Sequence, residues 1–121
     1  MRYMLLLYSA ADAGPAQGSP EQAAEMQQWF AYTEDLANAG CLIGGEPLHG
    51  IDTATTVRVR DGKTVTTDGP FAETKETLGG YYMIDVDTLD EALEWAAKSP
   101  LTPYGSVEVR PIMEIPAGAG A

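Results

Sequence analysis

The sequence is poor in the side chains that most often carry chemistry. One cysteine, Cys41, and one histidine, His49, occur in 121 residues. A lone cysteine excludes an intrachain disulfide and suits a reducing compartment. One cysteine with one histidine also falls short of a Cys/His zinc site. Positive charge is scarce as well: seven Lys and Arg stand against eighteen Asp and Glu, a formal charge of −11. So acidic a surface repels phosphate backbones and anionic bilayers, which argues against nucleic acid and membrane as partners; its commonest use is solubility. Long apolar runs are missing too. The most apolar segment, "MRYMLLLYS", is too short to cross a bilayer and has no convincing cleavage site, so it reads as a first strand in a cytoplasmic protein.

With 45% hydrophobic residues the chain is globular, and its length fits a single domain over residues 1–115 followed by a flexible tail, 116–121. Arg2 to Tyr8 is almost continuously apolar, the pattern of a central strand covered on both faces. Ser19 as N-cap, Pro20 at the first helical position and Gln22 in capping-box register open a helix that Gly40 closes. Met26, Trp29, Phe30, Thr33, Leu36 and Ala37 recur at spacings of three and four and form its apolar stripe. Cys41 to Leu48 reads as a second strand ending near Glu46. "TTVRVRDGKTVTT" is a hairpin about Asp61-Gly62 that sets Arg60 opposite Lys63; neither of its faces is strongly apolar, so it should project from the main sheet. A strand from Gly80 to Val86, a helix opened by the Thr88/Glu91 capping box and stopped by Pro100, and a last strand from Ser106 to Ile115 complete the chain. The order β-α-β-(hairpin)-β-α-β is an α+β, ferredoxin-like split βαβ arrangement with an extra β-hairpin. Both helices then share one sheet face. The opposite face needs a cover, and the simplest is a second copy, a homodimer burying roughly 800 Å² or more per partner.

The candidate site lies in the long connection from Asp68 to Gly80, within "TVTTDGPFAETKETLGGYYMIDV". Asp68 reads either as a carboxylate held at a cleft mouth or as an Asx-turn residue tying down its own loop. Phe71 should anchor the loop in an apolar pocket. If Ala72 to Leu78 makes a helical turn, Glu73 and Glu76 share a face with Lys75 beside them. Lys75 would then bind an anionic group or transfer a proton, or else staple two subunits together. His49, in "PLHG", is a base at a pocket mouth or a turn residue; Glu46, in "GGEP", is a further carboxylate near a strand end. Cys41 reads as buried and inert, and Tyr81, Tyr82 and Tyr104 as sheet and interface residues able to line a pocket. The Gly-Gly pairs lack nucleotide-motif spacing, so no cofactor and no metal is expected. Two functions fit. One is a cofactor-independent acid-base enzyme acting on a small molecule through Asp68, Glu46, His49, Lys75 and Glu76. The other is a ligand-sensing or accessory protein that binds and catalyses nothing.

"DGPFAETKE", "LGGYYMIDV", "LDEALEWAAK" and "YGSVEVRPIMEI" together resemble the DGPF-motif branch of the YCII-related family, from about Arg2 to Met113. The resemblance implies a dimeric α+β barrel form of the ferredoxin-like fold. It also implies a small bacterial cytoplasmic protein of a kind often encoded beside extracytoplasmic-function sigma factors, with no reaction defined for the branch. The shorter YCII branch is thought to pair a His on the first helix with an Asp. The matching position here falls at or near Trp29 with no His nearby, so that pair cannot operate unchanged.

Overall fold

Eight strands and helices follow in the order expected: β1 (Arg2–Ser9), α1 (Pro20–Asn38), β2 (Leu42–Pro47), β3 (Thr55–Arg60), β4 (Lys63–Asp68), β5 (Thr77–Asp85), α2 (Leu89–Ala97) and β6 (Ser106–Pro111). The computed structural model describes residues 1–116, so the tail expected to be flexible falls, beyond Pro116, outside the described residues. The main sheet has the order β2-β5-β1-β6 with antiparallel pairing throughout, and β3-β4 forms a separate two-stranded sheet. β1 is central, as its apolar run predicts. The fold is α+β and ferredoxin-like in strand order.

Local signals set the helix ends. The Gln22 amide donates to Ser19 Oγ at 3.1 Å, and Gln22 Oε1 accepts from the Gly18 amide at 2.6 Å. These bonds satisfy donors that an uncapped helix would leave bare. In α2 the Glu91 amide donates to Thr88 Oγ1 at 3.2 Å. The inward face of α1 differs from the predicted stripe. Tyr32 and Leu36 are buried and Trp29 and Thr33 half-buried, whereas Met26, Phe30 and Ala37 face solvent. The cause is an aromatic cluster. Trp29 stacks on Tyr82 with centroids 6.2 Å apart, and Tyr32 stands edge-on to Trp29, Tyr82 and Trp95. Its hydroxyl donates to the Trp95 carbonyl at 2.7 Å, and Thr33 and Tyr82 share a hydroxyl hydrogen bond of 2.6 Å. A phenol whose tip finds a partner buries as well as a hydrocarbon, and hydropathy spacing alone passes it over.

That cluster, with Tyr3, Leu5, Ile84, Val86, Ala92 and Ala96, is the core between the helices and one sheet face. Strand alternation puts Met4, Leu6, Tyr81 and Met83 on the other face, which neither helix covers. The hairpin register matches expectation, Arg60 opposite Lys63, with positive φ at Asp61 (53°) and Gly62 (76°), the type I′ turn that two-residue hairpins favour.

Candidate functional site

Three stretches of chain meet at the base of the hairpin. The first runs from the end of β2. The Leu48 amide donates to the Gly79 carbonyl at 2.8 Å, and a 3-10 turn over Ile51–Thr53 is closed by Thr53 Oγ1 donating to the Gly50 carbonyl at 2.7 Å. The second is the hairpin base, where the Gly69 amide donates to the Ala54 carbonyl at 2.7 Å and Thr56 Oγ1 to the Gly69 carbonyl at 2.8 Å. Gly69 has φ of +106°, a conformation that strains any residue with a Cβ. The two hydrogen bonds fix the turn. The third stretch runs from Pro70 to Leu78. The Arg58 guanidinium donates to the Phe71 carbonyl at 3.4 Å, and the Thr74 hydroxyl donates to the Glu76 carbonyl.

Between them lies a cleft of about 910 Å³. Its walls include Tyr8, Leu48, Ile51, Pro70, Phe71 and Leu78. His49 and Glu76 line the same cleft, with Thr53, Thr55, Thr56, Thr74 and Thr77. His49 is exposed and Glu76 half-buried.

Of the five candidate ionisable residues, the structure brings these two together. Asp68, Lys75 and Glu46 are exposed and are not part of the cleft wall. Asp68 ends β4 opposite Thr55, and Glu46 lies in β2 opposite Tyr81. The helical turn expected over 72–78 does not form, because β5 already begins at Thr77 and claims that backbone for pairing with Ser9 and Tyr8. Glu73 and Glu76 therefore share no helix face. Phe71 does not anchor the loop: it is 81% exposed. The loop is held by backbone, Arg58 and threonine hydrogen bonds instead, which frees the ring to form part of the cleft wall. Among the described residues none of Glu46, Asp68, Glu73, Lys75 and Glu76 enters an ion pair; the pairs found are the N-terminus with Asp85 and Arg2 with Glu114.

Shifted ionisations lie elsewhere. Burial raises the pKa of the Tyr32 hydroxyl and of the Cys41 thiol. Burial, followed by its hydrogen bond to the Glu25 carboxylate, raises that of Tyr104. Cys41 is buried, as its apolar neighbours predict, and Tyr82 is half-buried and packs against the core. No three His, Cys, Asp or Glu among the described residues are grouped to hold a metal, and none of their helices is long and apolar enough to cross a membrane. Sequence reasoning missed Tyr8, Leu48, Ile51 and the five threonines. Each is unremarkable alone, and the one available signal was the unusual connection "HGID" between a strand and a hairpin.

A solved structure of similar fold is 5-chloro-2-hydroxyhydroquinone dehydrochlorinase from Burkholderia phenoliruptrix AC1100 in complex with 2,5-dihydroxybenzoquinone. It has a TM-score of 0.53 at 15% identity, over 93% of this chain and 94% of that one. At that identity the likeness concerns the fold. An uncharacterised protein of Rhizobium meliloti (strain 1021) is 39% identical over 116 residues, covering 93% of this chain and 92% of the relative. The YCII-related domain matches residues 1–116. The chain belongs to the YCII-related family.

Proposed function

We propose that the cleft at the hairpin base binds a small organic molecule and that His49 and Glu76 move protons on it without a cofactor. The observation that carries this reading is the make-up of the cleft: about 910 Å³ with largely apolar walls, an imidazole and one carboxylate. Small-molecule sites are typically of this size and combine apolar walls with a few polar groups. Imidazole and carboxylate are the commonest general acids and bases. The dehydrochlorinase of similar fold was solved with a quinone in place, which supports a ring-shaped, oxygenated ligand here. The reaction class is abstraction and return of a proton on a hydroxyl or carbon acid. Asp68, Lys75 and Glu46 have no direct part in it.

The reading extends to a homodimer built on the uncovered sheet face, where Met4, Leu6, Tyr81 and Met83 form an apolar band. It extends also to the cytoplasm, where the buried Cys41 thiol stays reduced, and to the DGPF branch, whose namesake segment supplies Pro70 and Phe71 to the cleft. A non-catalytic sensor or accessory protein is the alternative, favoured by the exposure of His49.

The test is titration with 2,5-dihydroxybenzoquinone and a panel of substituted hydroquinones. NMR shifts at Leu48–Ala54 and Pro70–Leu78 report binding, and product analysis reports turnover. Enzyme function predicts turnover that His49→Ala and Glu76→Gln each lower by about 10²-fold or more while binding persists. Binding with no turnover selects the sensor. Shifts confined to other surfaces refute the site.

A further inference from the structure

The β3–β4 hairpin is hydrogen bonded to no strand of the main sheet. An isolated two-stranded ribbon is at best marginally stable in water, and this one is met on one face only at its base, where Thr56 and Arg58 bond to the 69–71 segment. Alternation and register place Val57, Val59, Thr64 and Thr66 on one face and Arg58, Arg60, Lys63 and Val65 on the other. Val57 and Val59 are each 59% exposed. Arg60 and Lys63 sit directly across from each other, a like-charge pair that disfavours the ribbon on its own. No carboxylate among the described residues forms an ion pair with any of the three cations.

The rest of the chain has the opposite character. Three of the seven basic residues lie on this hairpin with two acids, Asp61 and Asp68, so a chain of −11 carries −12 outside it. Part of that charge forms a surface complementary to the hairpin. On the outer side of α2, Leu89 and Leu93 lie one turn apart and are 48% and 46% exposed. Next around the helix come Asp90 and Glu94, both exposed and both outside any ion pair among the described residues. An apolar pair edged by carboxylates thus matches the hairpin face that carries Val65, 46% exposed, beside Arg60 and Lys63.

We infer that the hairpin is an arm that docks by its basic face on the α2 surface of a second copy, Val65 against Leu89 and Leu93, Arg60 and Lys63 against Asp90 and Glu94. The second copy is favoured by charge. Two chains of −11 repel, and a contact that sets the hairpin cations on the acidic helix reverses that repulsion where the surfaces touch. This interface is separate from the sheet-face dimer proposed above and does not depend on the cleft.

The test uses two full-length double variants, Arg60→Glu/Lys63→Glu on the hairpin and Asp90→Lys/Glu94→Lys on α2, each checked for fold by circular dichroism. Sedimentation velocity measures self-association. Each variant alone should associate at least about tenfold more weakly than the unaltered chain. Mixing the two in equal amounts should restore association, because each reversed hairpin then meets a reversed helix. Hydrogen exchange in the unaltered chain should slow at Val57–Val65 and at Leu89–Glu94 as concentration rises. Weakening without rescue on mixing overturns the arm, and so does association that neither variant changes. If Leu6→Asp alone abolishes association, the sheet-face dimer stands and the arm falls. A chain monomeric at all concentrations overturns both. Unprotected hairpin amides in an associated protein also overturn it and assign the basic face to an acidic partner of other origin.

Discussion

Replacing Phe71 by Ala separates two roles for the central aromatic of the 68–80 connection. A fully buried Phe replaced by Ala loses about 3–5 kcal/mol of stability. Here the residue is 81% exposed, so only about a fifth of a side chain worth roughly 200 Å² leaves water. At about 25 cal/mol per Å², that burial of about 40 Å² stabilises the chain by about 1 kcal/mol at most. Urea unfolding followed by circular dichroism should therefore show a loss below about 1 kcal/mol with an unchanged denaturant slope. Leu36→Ala, at a position with no exposed surface, should lose about 2–5 kcal/mol in the same assay. Ligand affinity should respond in the opposite proportion. One aromatic contact contributes about 0.5–1.5 kcal/mol, so the dissociation constant for a ring-shaped ligand should rise about two- to tenfold. A stability loss near that of Leu36→Ala would refute the reasoning, because it would mean that Phe71 is covered in solution. A mild stability loss with unaltered affinity would remove Phe71 from the binding wall.

Gly69→Ala should destabilise by about 1–3 kcal/mol in urea, because a Cβ does not tolerate φ of +106°, and the ligand-induced shifts at the cleft should shrink with it. Leu6→Asp should convert a sheet-face dimer to monomer in sedimentation; a dimer that survives it leaves that face out of the interface. The raised tyrosines set an alkaline limit. Tyr32 and Tyr104 ionise at about pH 10 in the unfolded chain and higher in the folded one, so their contribution is complete below that pH and is lost as pH climbs through the raised folded values. Substituting both with Phe should flatten the fall of stability above pH 10, read by urea titration at stepped pH.

The features legible in the sequence are those decided within a few residues. Ser19, Pro20 and Gln22 mark the start of α1, Thr88 and Glu91 that of α2, and Asp61-Gly62 fixes the hairpin register; each works through hydrogen bonds or dihedrals inside one turn. The stripe on α1 was legible only in part. Leu36 and Trp29 turn inward as their spacing predicts, but Tyr32 displaces Met26 and Phe30 because its partners, Tyr82 and Trp95, come from β5 and α2. Phe71 failed for a related reason. An aromatic in a loop is an anchor only if something apolar lies above it, and the chain offers instead a ring of hydrogen bonds from Arg58, Thr56 and Thr74. The candidate site was legible as a list of ionisable residues and not as a geometry. His49 and Glu76 are 27 positions apart and line one cleft through non-local bonds such as that of the Leu48 amide to the Gly79 carbonyl.

The same non-local packing explains where acid-base chemistry can sit on this version of the fold. At Trp29, midway along α1, the indole stacks on Tyr82 and meets Tyr32 edge-on. The hydroxyls beside it are already committed, Tyr82 to Thr33 and Tyr32 to the Trp95 carbonyl. An ionisable group placed there would be desolvated with no free partner, at a penalty of several kcal/mol. An ionisable group is thus disfavoured at position 29. At the hairpin base the balance is reversed. Hydrogen bonds hold the walls without using the His49 imidazole or the Glu76 carboxylate, which are left available to a ligand. A Trp29→His substitution should therefore destabilise the core by about 3 kcal/mol or more without creating activity. If it yields a stable chain with new turnover, the chemistry belongs on the helix face and the hairpin-base cleft is not its seat.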